Sequence, residues 1–262
     1  MRLFLFLLPG LLAVTACGGG DPMQGFQPGE VGRVVRVMDG DSVVLDTGQS
    51  VRLVGIEAPA FGRDGVPDEP HAEESRRRLE DMVLGRRVRL YYAGLTRDRY
   101  DRALAHVRTE DRLGPVIWAN EALAGEGAVR VRAYPDTAFG VEHLFEAEQQ
   151  ARADRLGLWA LSYYRVRDAR DLDAQPAGFL VLAGILGPRR PAPFDDTACQ
   201  RALMGSEVTI IVDAPAMAAC DMDTGLRVEA RGWYRDGRVR LNAAVNLRVM
   251  PGDAFAMAGD NP

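Results

Sequence analysis

Short runs of alternating apolar and polar residues, separated by glycine-containing turns, constrain the fold of this chain more than any other feature. A D-G pair, Asp39-Gly40, joins the first two runs, and such a pair between alternating segments is a strong hairpin signal. A second turn at residues 47–50 leads to the third run. The pattern predicts a three-stranded meander with strands over Gly32–Met38, Ser42–Asp46 and Val51–Ile56.

Helices and further strands are predicted after the meander. Apolar and small residues recur at helical spacing over residues 72–83, and Gly85 stands where a C-terminal cap belongs. Two more strands and two more helices are predicted over Val88–Tyr92, Ala103–Arg108, Ile117–Gly125 and Val141–Leu156. Five strands with a helix after the third is the order of an OB-fold. We therefore expect residues 31–160 to be mainly β with helices, folded as a five-stranded barrel.

The second half of the chain predicts a smaller all-β domain over residues 178–250, for which an OB-like barrel is one interpretation. Four strand-like segments carry this prediction: Phe179–Leu186, Glu207–Asp213, Leu226–Tyr234 and Val245–Val249. We interpret residues 161–177 as a connector and residues 251–262 as a tail.

The first seventeen residues have the pattern of a targeting segment. Arg2 precedes an apolar stretch over residues 3–14, and Val14-Thr15-Ala16-Cys17 ends it. This resembles a bacterial lipobox, in which the cysteine is acylated; a plain signal peptide cut near Ala16 is the alternative. Residues 18–30 are rich in Gly and Pro and are interpreted as a linker. The prediction is an exported lipoprotein, anchored in a membrane and facing the periplasm or the cell exterior.

Two cysteines remain if Cys17 carries lipid. Cys199 and Cys220 are then an even pair in an oxidising compartment, where a disulfide between them is expected.

Charge excludes one class of function. The net charge of −5 argues against a non-specific nucleic-acid binder, which normally has a basic surface, but it allows an enzyme with a small local basic site. The chain contains no lysine, so each arginine must be judged by its motif rather than by its residue type.

Five segments in register carry a family resemblance over residues 33–159. They are V-M-D-G-D-S-V-V-L (37–45), V-R-L-V-G-I-E-A-P (51–59), D-R-Y-D-R-A-L-A-H-V (98–107), A-N-E-A-L-A-G-E-G-A-V-R-V (119–131) and the closing helix at 146–159. Together they resemble the staphylococcal nuclease (thermonuclease) family. The resemblance implies an OB-fold and a calcium-dependent phosphodiesterase that acts on DNA or RNA.

The resemblance also implies a metal and phosphate site. Calcium takes oxygen ligands, and the family's metal ligands fall on Asp41, Glu57 and the backbone carbonyl of Ala58. A turn-stabilising role for Asp41 and a surface charge at Glu57 are the alternatives. Arg52 and Arg102 match the family's phosphate-binding arginines, whose planar guanidinium groups can bind two oxygens at once.

Two aromatic residues are candidate substrate contacts. Tyr92 and Tyr100 are candidates for stacking on a base. Aromatic residues beside strands are also common in protein cores, and that alternative stays open.

This sequence departs from the family pattern at two positions. The family motif ends A-P-E, with a Glu that activates or positions the attacking water, whereas this chain has Ala60. Asp101 replaces a glycine beside Arg102. Four acids of the following loop and helix start are candidates to reach the water, although solvent exposure is their default interpretation: Asp64, Glu69, Glu73 and Glu74.

Three classes of function follow. The first is a calcium-dependent nuclease, weakened by Ala60. The second is a non-catalytic OB-fold module that binds a nucleotide, an anion or a protein partner. The third is a structural protein of the cell envelope that uses its C-terminal domain. Ala60 favours the second and third classes, whereas the acids and arginines of the metal and phosphate site favour the first or second.

No metal-ligand spacing links the histidines, and Glu148 is expected to form a hydrogen bond with buried backbone.

Overall fold

The computed structural model of the protein describes residues 21–172 and 177–250. The strands of its first half are β1 (Gln27–Asp39), β2 (Ser42–Leu45), β3 (Ser50–Leu53), β4 (Ile56–Glu57), β5 (Arg87–Tyr92), β6 (Ala103–Thr109) and β7 (Arg130–Val131). Five of them close into a barrel in the order β1-β2-β3-β6-β5, and β4 pairs with β7 beside it. The β3–β6 pairing is parallel and the other pairings of the barrel are antiparallel. The predicted OB-fold barrel is confirmed.

The α-helices of the described residues are α1 (Ala72–Val83), α2 (Ala119–Gly125) and α3 (Val141–Ala153). Helix α1 buries one stripe of residues, namely Ala72, Ser75, Leu79, Met82 and Val83, which are the positions that its spacing predicted. Gly85 follows at φ +73°, a left-handed conformation that suits glycine after a helix. Short 3₁₀ segments lie at Pro135–Thr137, Gly157–Ala160, Ser162–Tyr164, Ala169–Asp171, Ala214–Asp221 and Ala244–Asn246.

The second half is a β domain with the same strand order as the first. Its strands are β8 (Arg167–Asp168), β9 (Gly178–Arg190), β10 (Thr197–Leu203), β11 (Thr209–Asp213), β12 (Arg227–Arg235), β13 (Arg238–Leu241) and β14 (Leu247–Val249). The pairing of β12 with β9 closes the ring β9-β10-β11-β13-β12. Its β11–β13 pair is parallel, as β3–β6 is in the first barrel. The second half is therefore a second OB-like barrel.

Three details differ from the sequence-based prediction. The linker prediction for residues 18–30 is wrong from Met23 onward, because Met23 and Phe26 are buried in the first core and β1 begins at Gln27, paired with Tyr92. The connector prediction is wrong at β8, which pairs with β9. Strand β10 was missed because polar Thr197 and Arg201 occupy buried positions in it, which hides the apolar alternation.

Strand β13 was also missed, although its turn was recognised at Asp236-Gly237. The turn joins β12 to β13 with Arg235 paired to Arg238. Exposed arginines alternate with buried Val239 and Leu241 in β13, so that only two apolar residues mark the strand.

A disulfide lies in the second barrel. Cys199 of β10 bonds to Cys220. Their Cα atoms lie 6.1 Å apart, and the two residues are 21 positions apart in sequence. Cys17, the rest of the predicted signal peptide and the predicted tail lie outside the described residues. Within residues 21–172 and 177–250, no helix is long and apolar enough to cross a membrane.

A buried charge cluster joins the two barrels. Arg231 of β12 contacts Glu148 of α3 at 2.6 Å and Glu229 at 2.6 Å, and it donates to the Val131 carbonyl at 3.1 Å. Arg152 of α3 contacts Glu229 at 2.7 Å. Glu148 also accepts from the Val131 amide at 3.3 Å, which agrees with its expected bond to buried backbone. The last helix of the first barrel is therefore fixed to the second barrel by ion pairs shielded from water.

Candidate active site

The D-G-D turn between β1 and β2 delivers Asp41 into a buried position. Its Oδ2 atom accepts a hydrogen bond from the Ala58 amide at 2.7 Å, and the Ser42 hydroxyl donates to Oδ1 at 3.1 Å. A Cβ atom at Gly40 would lie 1.9 Å from Ser75 Oγ on α1. Only glycine therefore permits this turn to pack so closely against the helix, which brings Asp41 next to the end of β3.

Arg52 holds the two predicted metal ligands together. Its guanidinium forms an ion pair with Asp41 through Nη1 and another with Glu57 through Nη2, the latter at 3.1 Å. The Arg52 side chain is 16% exposed, so these pairs are largely shielded from solvent. The structure thus brings Asp41, Glu57 and Arg52 into one cluster at the end of β3, where Ala58 is also buried.

In this cluster the influences that raise the pKa of Asp41 outweigh those that lower it. Burial, together with the nearby carboxylates of Asp39 and Glu57, raises the pKa of Asp41 to about 7 against the opposing effect of Arg52 and the Ala58 amide. Burial acts to lower the pKa of Arg52, but the neighbouring carboxylates outweigh it and raise that pKa above its ordinary value. The guanidinium therefore stays cationic, and the two acids favour additional positive charge.

Arg102 stands apart from the acids. Its Nε atom donates to Asp98 at 2.8 Å, and its guanidinium lies 5.8 Å from the centre of the Tyr100 ring. It precedes β6, whose Leu104 is paired with Arg52. Arg102 itself lies outside β6, and its ion pair is with Asp98.

The residue before Arg102 explains one departure from the family pattern. Asp101 has φ +62°, in the left-handed region where glycine is most readily accommodated. Aspartate is among the few other residues that visit this region routinely. Asp101 therefore adopts a backbone conformation that glycine, the family's residue at this position, readily accommodates.

The two predicted stacking residues differ in accessibility. Tyr92 is 7% exposed and its hydroxyl donates to Glu30, so it belongs to the wall of the barrel and presents no free ring face. Strand β5 directs the ring inward, which favours the core alternative for Tyr92 over a substrate contact. Tyr100 is 66% exposed, with the Arg99 guanidinium 4.7 Å from its ring centre.

Two arginines of the β7 segment that had not been singled out belong to the site. Arg132 donates to Glu57 at 3.0 Å, and its guanidinium lies 5.3 Å from the Phe179 ring. Arg130 is paired with Glu57 across the β4–β7 ladder. A signal was present in the sequence, because charged residues inside an apolar run such as 128–133 require partners when they are buried.

Residue 60, where the family has its Glu, is hydrogen-bonded to Glu69 through its backbone. The Ala60 amide donates to Glu69 Oε2 at 2.9 Å, and the Glu69 amide donates to the Ala60 carbonyl at 2.9 Å. The loop between them thus returns the Glu69 carboxylate to the backbone of residue 60.

The histidines have no contact with these acids in the part of the chain that is described. His106 is buried and accepts from the Trp118 indole at 3.2 Å. Burial lowers its pKa to about 3, so it is neutral at physiological pH. His71 lies in the left-handed turn before α1, and His143 lies against Trp118. These positions support structural roles.

The donor set suits a hard cation. Two carboxylates converge on a single guanidinium, and carboxylate oxygens are the ligands that calcium prefers. Over residues 21–172 and 177–250, no group of three or more His, Cys, Asp or Glu side chains is placed to hold a metal. Protein side chains would therefore supply only part of the six to eight oxygens that calcium takes, and leave the rest to a backbone carbonyl, waters and substrate.

Comparison with known proteins identifies the first barrel. A family model described as "Staphylococcal nuclease homologue" matches residues 50–161. The chain is 30% identical over 131 residues to a thermonuclease of Staphylococcus hyicus, covering 49% of this chain and 75% of the relative. It is 31% identical over 134 residues to a thermonuclease of Staphylococcus intermedius, covering 50% of this chain and 77% of that protein. This chain belongs to the staphylococcal nuclease family.

Another family relative is endonuclease YncB of Bacillus subtilis, 29% identical over 136 residues, which cover 49% of this chain and 61% of that protein. The family match ends at residue 161, before the second barrel begins. Arg52, Glu57, Ala60 and Arg102 lie inside the matched segment, whereas Phe179 lies beyond it.

Proposed function

We propose that this protein is a calcium-dependent phosphodiesterase that cleaves DNA or RNA by attack of water, with an activity weakened by the alanine at position 60. The observation that carries the proposal is the cluster of Asp41, Arg52 and Glu57. Its members come from separate segments of the family pattern and meet at one end of β3.

The cluster provides the charges that phosphodiester cleavage requires. Negative charge on the phosphate must be neutralised, increasingly so in the transition state. Calcium, when bound by Asp41, Glu57 and the Ala58 carbonyl, would supply part of that neutralisation. Arg52 remains cationic beside both acids and adds positive charge at the same place. Arg102, whose ion pair is with Asp98, is the second arginine of the family pattern.

The decisive experiment measures cleavage of single-stranded DNA by the purified protein, with calcium and with a chelator. Calcium-dependent cleavage is expected, and Ala60→Glu should increase its rate because it restores a carboxylate at the family position. Arg52→Ala should lower kcat more than it raises KM, since this arginine is proposed to act mainly on the transition state.

Metal binding is tested separately from activity. Calcium should raise the thermal unfolding temperature, because a ligand that binds only the folded state stabilises it. Asp41→Ala should abolish the shift, whereas the control Asp136→Ala, at an exposed residue of the first barrel, should retain it. The absence of any calcium-dependent shift in the native protein would refute the metal site.

A binding module is the second candidate, and Ala60 is the observation that favours it, because alanine cannot accept a proton. On this proposal the protein binds a nucleotide, an anion or a protein partner without cleaving it. A calcium-dependent shift and DNA binding, with no cleavage in either the native protein or Ala60→Glu, would favour this candidate.

We also propose that the protein is exported and anchored by lipid at Cys17, with nucleic acid reaching it outside the cytoplasm. The disulfide between Cys199 and Cys220 supports an oxidising compartment.

A further inference from the structure

We propose that Glu69 replaces the missing family Glu and serves as the general base that activates water. The inference rests on the proposed phosphodiesterase function. It starts from one contact: the family has its carboxylate at residue 60, and here Glu69 Oε2 accepts a hydrogen bond from the backbone amide of Ala60 at 2.9 Å.

Backbone pairing fixes this position. The Glu69 amide donates to the Ala60 carbonyl, while the Glu69 side chain accepts from the Ala60 amide, so that two bonds close the stem of the loop over residues 61–68. The Glu69 side chain is 27% exposed. It is therefore held in place and still reached by solvent, as a group that activates water must be.

Arg130 connects Glu69 to the strand pair that carries Glu57. Its Nη2 atom lies 3.5 Å from Glu69 Oε2, and its backbone is paired directly with Glu57 between β7 and β4. Directly opposed residues of an antiparallel pair have Cα atoms about 4.5 to 5.5 Å apart. One residue thus connects the candidate base to the strand that carries the acid cluster.

The second barrel fixes Arg130. The Arg130 Nη1 atom donates to the Phe179 carbonyl at 2.7 Å, and the guanidinium lies between two rings, 4.9 Å from the centre of Tyr164 and 5.0 Å from that of Phe179. Its side chain is 6% exposed. Because Phe179 is outside the segment that matches the family, the support for Glu69 is a feature that the second domain adds.

The other acids of this region are less suitable. Asp68 accepts from the Gly62 amide at 2.8 Å and so closes the interior of the loop. Glu73 and Glu74 form ion pairs with arginines one turn along α1, and Asp64 lies at the exposed part of the loop. Among these candidates, Glu69 is the one whose carboxylate contacts residue 60.

The proposed step is a hydrolysis. The oxygen of a water molecule forms a bond to phosphorus, and the bond from phosphorus to one sugar oxygen breaks. Glu69 takes one proton from the attacking water, and the departing sugar oxygen takes a proton from solvent water. A positioned general base typically contributes about 10²- to 10⁴-fold to a rate.

Glu69→Gln tests the proposal, because glutamine keeps an acceptor for the Ala60 amide and removes the base. We expect kcat for cleavage of single-stranded DNA to fall at least about 100-fold, with KM nearly unchanged. Adding Ala60→Glu to the Glu69→Gln variant should restore activity.

Asp68→Asn is the matched control, since it removes a carboxylate from the same loop that also accepts a backbone hydrogen bond. It should retain the native kcat. The calcium-dependent shift should be the same in Glu69→Gln as in the native protein, which separates loss of the base from loss of the metal site.

The outcomes distinguish this inference from the function on which it rests. Native activity with an equal kcat in Glu69→Gln, or an equal loss in both loop variants, would overturn the role of Glu69 alone. An inactive native protein with an active Ala60→Glu variant would do the same. Inactivity of both, despite calcium binding, would overturn the phosphodiesterase proposal and the base with it.

Discussion

Replacing Arg231 with methionine tests the charge cluster that joins the two barrels. The Arg231 side chain is 2% exposed and that of Glu148 is 0% exposed, so neither group exchanges its partner for water in the folded protein. Methionine retains most of the length of the side chain and its packing near Phe145, whose ring centre lies 4.9 Å from the guanidinium. The substitution therefore removes mainly charge and hydrogen bonds.

The expected loss of stability is about 3 to 5 kcal/mol, the range for removing one partner of a buried ion pair. Glu148 loses its cation altogether, whereas Glu229 keeps Arg152 at 2.7 Å. Burial alone would raise the pKa of Glu229, but Arg231 and Arg152 outweigh burial and lower that pKa to about 2. The effect should therefore arise chiefly at Glu148.

Urea unfolding followed by tryptophan fluorescence measures this change, because Trp118 and Trp159 report on the first half of the chain and Trp233 on the second barrel. The matched control is Arg189→Met, whose ion pair with Asp221 is exposed on both sides and should contribute less than about 1 kcal/mol. Glu148→Gln added to Arg231→Met should recover part of the loss, because it removes the unpaired charge.

A loss in Arg231→Met no larger than that in Arg189→Met would refute the reasoning. So would a double variant less stable than Arg231→Met, since the penalty would then not come from an uncompensated carboxylate.

Further predictions concern stability and anchoring. Replacing both Cys199 and Cys220 with alanine should lower the free energy of unfolding by about 3 kcal/mol in the chain-entropy model for a 21-residue separation; two reactive thiols in the native protein would contradict the bond. Because the folded pKa of Glu229 is depressed, its contribution should be complete above about pH 4.5 and be lost as the pH falls towards 2, and Glu229→Gln should weaken this acid dependence of urea unfolding. Asn246→Ala should cost about 1 to 3 kcal/mol in the same assay, since its amide bonds both backbone groups of a buried residue in the first barrel. Cys17→Ser should move the protein from the membrane fraction to the soluble fraction, and unchanged fractionation would exclude the lipid anchor.

The sequence alone was sufficient to predict the first barrel, because its strands and turns are encoded locally. Alternation at residues 32–56, the D-G turn at 39–40 and helical spacing at 72–83 each specify a short element, and β1, β2 and β3 pair in chain order. The closing pairs β3–β6 and β1–β5 follow from the OB-fold order and not from a local pattern. Strands β10 and β13 were missed where buried polar residues or exposed arginines interrupt the apolar pattern. Alternation reports burial only when buried positions are apolar.

The candidate site was predicted in part. Family motifs identified Asp41, Glu57 and Arg52, and their residue types indicated an oxygen-rich, cation-binding cluster. That Arg52 lies between the two acids depends on packing of the turn at Gly40 against α1 and on the end of β3. The burial of Tyr92 favours its core alternative, which could not be chosen earlier because strand position does not reveal which ring face remains accessible.

Only the tertiary structure decided which residues make contact across long sequence separations. Glu69 reaches residue 60 because a loop closes on itself, Arg130 is fixed by Phe179, and Glu148 is neutralised by Arg231 of the second barrel. Local spacing specifies which side of a strand or helix a residue occupies. It does not specify which charged side chain contacts that residue, because the partner depends on burial and electrostatics in the completed fold.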